Sequence, residues 1–151
     1  MSRWRGMCGA LALALGGIDA GAADLLDNAD LASGSELART AAASTARIQQ
    51  IGLANRAAIG QTGERLVALI RQTGAAQEAA IAQDGSELSA QIIQTGYANR
   101  ARIDQQGNDN QAVIRQLGAY NDARIEQVGD GFKSSITQFG NHQNMQVRQY
   151  R

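Results

Sequence analysis

Cysteine is almost absent from this chain of 151 residues, aromatics are scarce, and net charge is missing altogether. The single cysteine is Cys8, and the aromatics are Trp4, Phe132, Phe139 and the tyrosines Tyr97, Tyr120 and Tyr150. So few large rings leave too little apolar volume for a conventional globular core. The 14 basic residues are balanced by 14 acidic ones, which excludes a generic nucleic-acid binder with its basic excess. No nucleophile–base–acid set or phosphate-cradling glycine loop is present, so no enzymatic activity and no cofactor are expected. His142 is the only histidine, has no further ligand type around it, and does not suggest a metal site. What the chain has instead is glycine and glutamine, 17 of each, with much alanine and a regularly placed isoleucine.

The N-terminus carries Arg3 and Arg5, an apolar run from Gly6 to Leu15, and the small residues Ala20-Gly21-Ala22-Ala23. A basic head, a short apolar stretch and an A-x-A site describe a secretory signal peptide over residues 1–23, cleaved after Ala22 or Ala23. The apolar run falls well short of the roughly 20 residues that cross a bilayer. Cys8 leaves with it, so neither disulfides nor a thiol nucleophile remain. The expected product is extracellular and not transmembrane. Its first segment, residues 24–43, is acidic, with Asp24, Asp27, Asp30 and Glu36 against Arg39. Residues 131–151 are the reverse, with Lys133, Arg148 and Arg151 and no acid.

Between these ends runs a repeat with a step of eleven. Ile48 recurs at Ile59, Ile70, Ile81, Ile92, Ile103, Ile114, Ile125 and Ile136, and Val147 closes the series. A parallel series runs through Gln50, Gln61, Gln72, Gln83, Gln94, Gln105, Gln116, Gln127, Gln138 and Gln149. Glycine follows each glutamine by two, at Gly52, Gly63, Gly74, Gly85, Gly96, Gly107, Gly118, Gly129 and Gly140, until Arg151 takes the place. Alanine precedes each isoleucine by two from Ala46 to Ala123, then gives way to Ser134 and Met145.

Eleven-residue repeats also make right-handed coiled coils, but such a seam needs apolar residues three or four apart. Four before Ile59 stands Asn55, and four after it stands Gly63. Interior glycines would also cost a helix about 1 kcal/mol each. Within the unit the spacing is two, as in Asn55, Ala57, Ile59, Gln61, which places those side chains on one face of a strand. Because eleven is odd, each Gly-x-x segment must reverse the chain and reset its facing. Two strands and two turns then make a 22-residue coil, and stacked coils make an all-β, flattened β-solenoid of two parallel sheets. Five coils are expected over residues 44–151, at about 44–65, 66–87, 88–109, 110–131 and 132–151.

Stacking places Ile48 beneath Ile70, Ile92, Ile114 and Ile136, and Ile59 beneath Ile81, Ile103, Ile125 and Val147. Each buried isoleucine should contribute about 1.5–3 kcal/mol. Inward amides are costly unless paired, and one coil spacing lets each donate to the next, as in cross-β ladders. Besides the glutamine series, Asn55, Gln77, Asn99, Asn121 and Gln143 are expected to form an amide line near one turn. At the other turn only Asn110 keeps the amide, with Leu66, Leu88 and Phe132 in its column. Open coil ends leave unpaired backbone groups and invite polymerisation.

The motif Ala-x3-Gln-x4-Asn-x-Ala-x3-Gln fits at Ala46-Gln50-Asn55-Ala57-Gln61, at Ala90-Gln94-Asn99-Ala101-Gln105 and at Ala112-Gln116-Asn121-Ala123-Gln127. Behind a signal peptide and a short acidic leader, this repeat resembles the curlins of bacterial curli fibres over about residues 24–151. The alanine starts and the turns Gly52-Leu-Ala-Asn55 and Gly96-Tyr-Ala-Asn99 resemble the minor, nucleating curlin more than the major one, which starts its repeats with serine. The resemblance implies an amyloid-like fibre protein of the biofilm matrix, whose partners are the major curlin as co-polymer and further copies of itself. It also implies an outer-membrane secretion channel that reads residues 24–43, and an accessory anchoring factor. A major, self-polymerising subunit and a monomeric solenoid adhesin are the alternatives.

Outward residues divide in two. Arg102 over Arg124, beside Asp104 over Glu126, reads as a set of solubility gatekeepers. The degenerate last coil reads either as a cap or, through Lys133, Arg148 and Arg151, as a surface anchor for an accessory protein or acidic lipopolysaccharide.

Overall fold

The computed structural model describes residues 10–14 and 43–151. The expected signal peptide and leader therefore lie outside the described residues, apart from Ala10–Ala14 and Ala43. The elements are β1 (Ala10–Ala14), β2 (Thr45–Leu53), β3 (Arg56–Glu64), β4 (Val67–Ala75), β5 (Glu78–Ser86), β6 (Ser89–Tyr97), β7 (Arg100–Asn108), β8 (Gln111–Ala119), β9 (Asp122–Val128), β10 (Lys133–Asn141) and β11 (Asn144–Tyr150). Among the described residues there is no helix. One sheet has the order β1-β3-β5-β7-β9-β11 and the other β10-β8-β6-β4-β2. Consecutive strands thus fall in opposite sheets, and each coil is one strand from each.

The register is 22 throughout. Ile70 lies beside Ile92, Gln72 beside Gln94 and Gly74 beside Gly96 in one sheet. Ile81 beside Ile103 and Gln83 beside Gln105 repeat the arrangement in the other. All pairs from β2 to β11 are parallel. The fold is the all-β, five-coil, two-sheet solenoid that the odd repeat length demands.

Alternation along each strand selects what is buried. In β4, Ala68, Ile70 and Gln72 point inward, while Val67 and Arg71 are exposed. The same Ala-Ile-Gln triplet fills every interior coil, with Ile59, Ile70, Ile92, Ile103, Ile114 and Ile125 wholly inaccessible. The two end strands differ: Ile48 in β2 and Val147 in β11 pack against the core but stay half-buried, having neighbours on one side only.

The turns explain the glycines. At Gly96 the chain has φ 124°, and a methyl group there would overlap the carbonyl of Gly118 one coil on. Two residues later Ala98 is left-handed at φ 49°, and the chain then enters the next strand facing inward again. Two positive-φ residues within three positions supply the reversal that an odd repeat needs. The left-handed place is filled by Ala54, Arg65, Ala76, Glu87, Ala98, Asp109, Tyr120 and His142, none of them glycine. Only Gly131, at φ 74°, fills it with the residue that chemistry favours.

β1 was not foreseen as a structural element. It pairs antiparallel with β3, Ala12 beside Ile59, and so occupies the outer edge of that strand.

Candidate assembly faces and amide ladders

Each ladder glutamine sits two residues after an isoleucine, or after Val147 in the last strand, on the same strand face, so the 22-residue register brings identical amides within hydrogen-bond reach. Gln50 Nε2 donates to Gln72 Oε1 at 2.7 Å, Gln72 to Gln94 at 2.8 Å, Gln94 to Gln116 at 2.8 Å and Gln116 to Gln138 at 2.7 Å. In the opposite sheet Gln61 donates to Gln83 at 2.9 Å, Gln83 to Gln105 at 2.9 Å, Gln105 to Gln127 at 2.8 Å and Gln127 to Gln149 at 3.0 Å. Each bond contributes about 0.5–1.5 kcal/mol net, whereas a buried amide left unpaired costs about 1–3 kcal/mol. The ladders are therefore cooperative: removing one member strands its two neighbours.

A second bond fixes which way each amide points. From Gln61 to Gln138, Nε2 also donates to the backbone carbonyl sixteen residues earlier, as Gln72 does to Arg56 at 3.0 Å and Gln94 to Glu78 at 3.1 Å. A reversed amide would set oxygen against oxygen there. Every ladder bond consequently runs from the lower-numbered residue to the higher.

The asparagine column works differently from the expected amide line. Asn99 Nδ2 donates to the carbonyls of Gly118 at 2.9 Å and Thr95 at 3.3 Å, and its Oδ1 accepts from the backbone N–H of Asn121 at 3.1 Å. Asn55 and Asn121 repeat this, and Asn110 does so at the opposite turn through Gly129 and Phe132. These side chains bond to backbone and not to one another. One methylene shorter than glutamine, they end level with the turn, where unpaired peptide groups take both ends of the amide. Gln77 and Gln143 carry the longer chain in the same column. The Gln77 Nε2 keeps its turn contacts at 3.1 and 3.0 Å, but its buried Oε1 finds no partner. Gln143 is exposed and donates to Phe139.

Leu66 and Leu88 fill the amide place of the opposite turn with wholly buried side chains. The backbone N–H of Leu66 donates instead to Ser44 Oγ at 3.2 Å, a role that sequence pattern alone did not suggest for Ser44.

The two ends of the stack are distinct. β2 exposes Ala46 and half-exposes Ile48 and Gln50, and β11 exposes Met145 and half-exposes Val147 and Gln149. Ser134 replaces the core alanine of the last coil, and its hydroxyl bonds both Gln127 and Gln149.

Outside, Arg124 reaches Asp104 at 3.2 Å and Glu126 at 3.5 Å, Arg102 pairs with Asp104 at 2.8 Å, and Arg148 approaches Glu126 at 3.6 Å. Arg102 stacks on Arg124 and Asp104 on Glu126, while the opposite charges meet along each strand, diagonally between Arg124 and Asp104, and vertically where Arg148 lies over Glu126. The hydrogen bond to Asp104, and its charge, hold the Arg102 guanidinium above its ordinary pKa. These pairs are solvent-facing and worth little individually. Arg148 is thus partly engaged, Lys133 is exposed, and the Arg151 guanidinium lies 6.0 Å from the Phe132 ring centre. His142 stacks on Tyr120, with 5.0 Å between rings, and Tyr120 meets Tyr97 edge-on.

Residues 68–96, 87–118 and 96–129 match the family model of the curlin associated repeat. The matched span runs from β4 to β9, the most regular part of the stack. Over that span the chain is similar to the curlin repeat family. No curated protein and no solved structure matches the chain.

Proposed function

We propose that the chain is a nucleating curlin, which offers a folded coil edge to the major curlin and holds the resulting fibre at the bacterial surface. The observation that carries the reading is the open strand edges of the end coils: among the described residues β2, β10 and β11 have no outer neighbour, and the glutamine ladders stop at Gln50, Gln138 and Gln149. An incoming curlin gains backbone hydrogen bonds, a buried isoleucine and a continued ladder, with no chemical step. Alanine at the repeat starts, and turns without the Gly-x-Gly-Asn pattern, favour the minor subunit over the major one.

In this reading residues 1–23 direct export and residues 24–43 are the address for an outer-membrane secretion channel. Lys133, Arg148 and Arg151 in the last coil then meet an anchoring factor or lipopolysaccharide outside the cell. Trace amounts of preformed fibres of this protein should abolish the lag of major-curlin assembly. An unchanged lag, together with rapid unaided polymerisation of the pure chain, would assign it to the main fibre subunit instead. Deleting residues 132–151 should release the protein from the cell surface, and retention would reject the anchoring role.

A further inference from the structure

Two of the three tyrosines in the chain meet at one turn edge of the stack. Tyr97 ends β6 beside Ala119 of β8, and the backbone N–H of the next residue, Tyr120, donates to the Tyr97 carbonyl at 3.0 Å. The two rings meet edge to face, with 5.5 Å between centres and their planes 76° apart. The same backbone bond recurs along that edge from Ala76 to Leu53, from Ala98 to Ala75 and from His142 to Ala119, so only one rung of the column pairs two phenols. Tyr97 keeps 49% of its surface exposed and Tyr120 keeps 53%, so both rings are open to a reagent. Tyr120 also holds a left-handed φ of 58°, a conformation that bulky residues avoid, and burial of its ring does not offset that cost. His142 stacks on Tyr120 with the planes 17° apart and steadies the ring from the following coil.

We infer that Tyr97 and Tyr120 form an oxidative coupling site, at which a peroxidase-type oxidant joins their rings as dityrosine within one chain. Each phenol gives up one electron to the oxidant and its hydroxyl proton to water, and the unpaired spin spreads onto the ring carbons beside the oxygen. One such carbon from each ring forms the new C–C bond. Each of these carbons then loses its hydrogen, and the phenol oxygens take protons back. The chain is oxidised by two hydrogen atoms in all, and one hydrogen peroxide is reduced to two waters. The backbone bond between the two residues holds the rings together at an effective concentration on the order of mM or above, so coupling within the chain outruns coupling between chains at micromolar protein. Tyr150 is excluded from the pair, because it ends β11 at the opposite turn beside Val128. With Cys8 its only cysteine, the chain cannot close a disulfide, and dityrosine supplies a covalent tie between neighbouring coils instead. The tie closes the loop from Tyr97 to Tyr120 and so restricts the unfolded chain. The pair lies on a lateral turn and not on an end coil, so the inference does not depend on the fibre-subunit reading.

The test treats the monomeric full chain at low micromolar concentration with a haem peroxidase and hydrogen peroxide. Dityrosine fluorescence should appear with a yield independent of protein concentration. Mass spectrometry of the digested monomer should find the Tyr97 and Tyr120 peptides joined and short of two hydrogen atoms. Tyr97→Phe and Tyr120→Phe, which keep the ring and its packing, should each abolish the signal, and Tyr150→Phe should leave it unchanged. The coupled monomer should unfold at a higher denaturant midpoint than the untreated one. Linkage through Tyr150, coupling mainly between chains, or an equal yield from the chain held unfolded in denaturant would overturn the site. So would the lack of any dityrosine under conditions that couple free tyrosine.

Discussion

A glycine at φ 124° and an alanine at φ 49°, two residues apart, carry most of what a turn must do here. They are not equivalent. Gly96 has no room for a side chain, because its Cβ would enter the Gly118 carbonyl. Ala98 has room but is held left-handed, at a cost of about 1–2 kcal/mol. Gly96→Ala should therefore lower stability by about 3 kcal/mol or more. Ala98→Gly should raise it by about 0.5–1 kcal/mol, after the greater freedom of glycine in the unfolded chain is subtracted. Denaturant midpoints of the monomer, kept below the concentration at which it assembles, would show both. Equal and small shifts would mean that coil stacking does not confine the glycines. The glycine column was legible from its spacing. The left-handed residues were not, since alanine, arginine, glutamate, aspartate, tyrosine and histidine share no turn chemistry. Their conformation is imposed by the strands on either side.

At the scale of an element, the turn columns show how the same position can be filled by burial or by bonding. Leu88 is wholly buried where Asn110 bonds the backbone of the next coil. Leu88→Asn loses about 1.5–3 kcal/mol of apolar transfer. It regains bonds worth about 0.5–1.5 kcal/mol each, to the N–H of Asn110 and the carbonyl of Gly107. The expected net change is within about 1 kcal/mol, against about 2–4 kcal/mol lost in Leu88→Ala. If asparagine proved as damaging as alanine, the backbone clamp would not be the reason for the asparagine column. Sequence spacing identified which residues share that column, yet it suggested amide-to-amide bonds, because spacing carries no information on the reach of a side chain. The direction of the glutamine ladders was hidden for a related reason. It depends on a carbonyl sixteen residues away on the facing strand, a contact that exists only once both sheets are in place. β1 was hidden too, being an apolar stretch whose composition already had a targeting explanation. Because it covers the β3 edge, a chain lacking residues 1–23 should nucleate faster than the full chain. Equal lag times would show that this edge does not limit assembly.

For the whole molecule, the decisive property is that the interior of one coil is also the end surface of the stack. Ala, Ile and Gln recur inward in both sheets, so a new subunit meets the pattern that each coil already meets within the chain. The period of eleven, its odd parity and the spacing of two within each unit were sufficient to reach this architecture from residues alone. The open ends were legible too, but the half-burial of Ile48 and Val147 was not, since it depends on having a neighbour and not on their own chemistry. Fibres of stacked solenoids and in-register amyloid share strand spacing, so strand spacing cannot separate them. The distance between copies of one residue can. With a single carbonyl 13C label at Ile92, solid-state dipolar recoupling on assembled fibres measures how far each label lies from its own copy. Stacked five-coil solenoids place the copies five rungs apart, about 24 Å at about 4.8 Å per rung, and predict almost no coupling. Strong coupling at about 4.8 Å, as in-register stacking gives, would contradict the account.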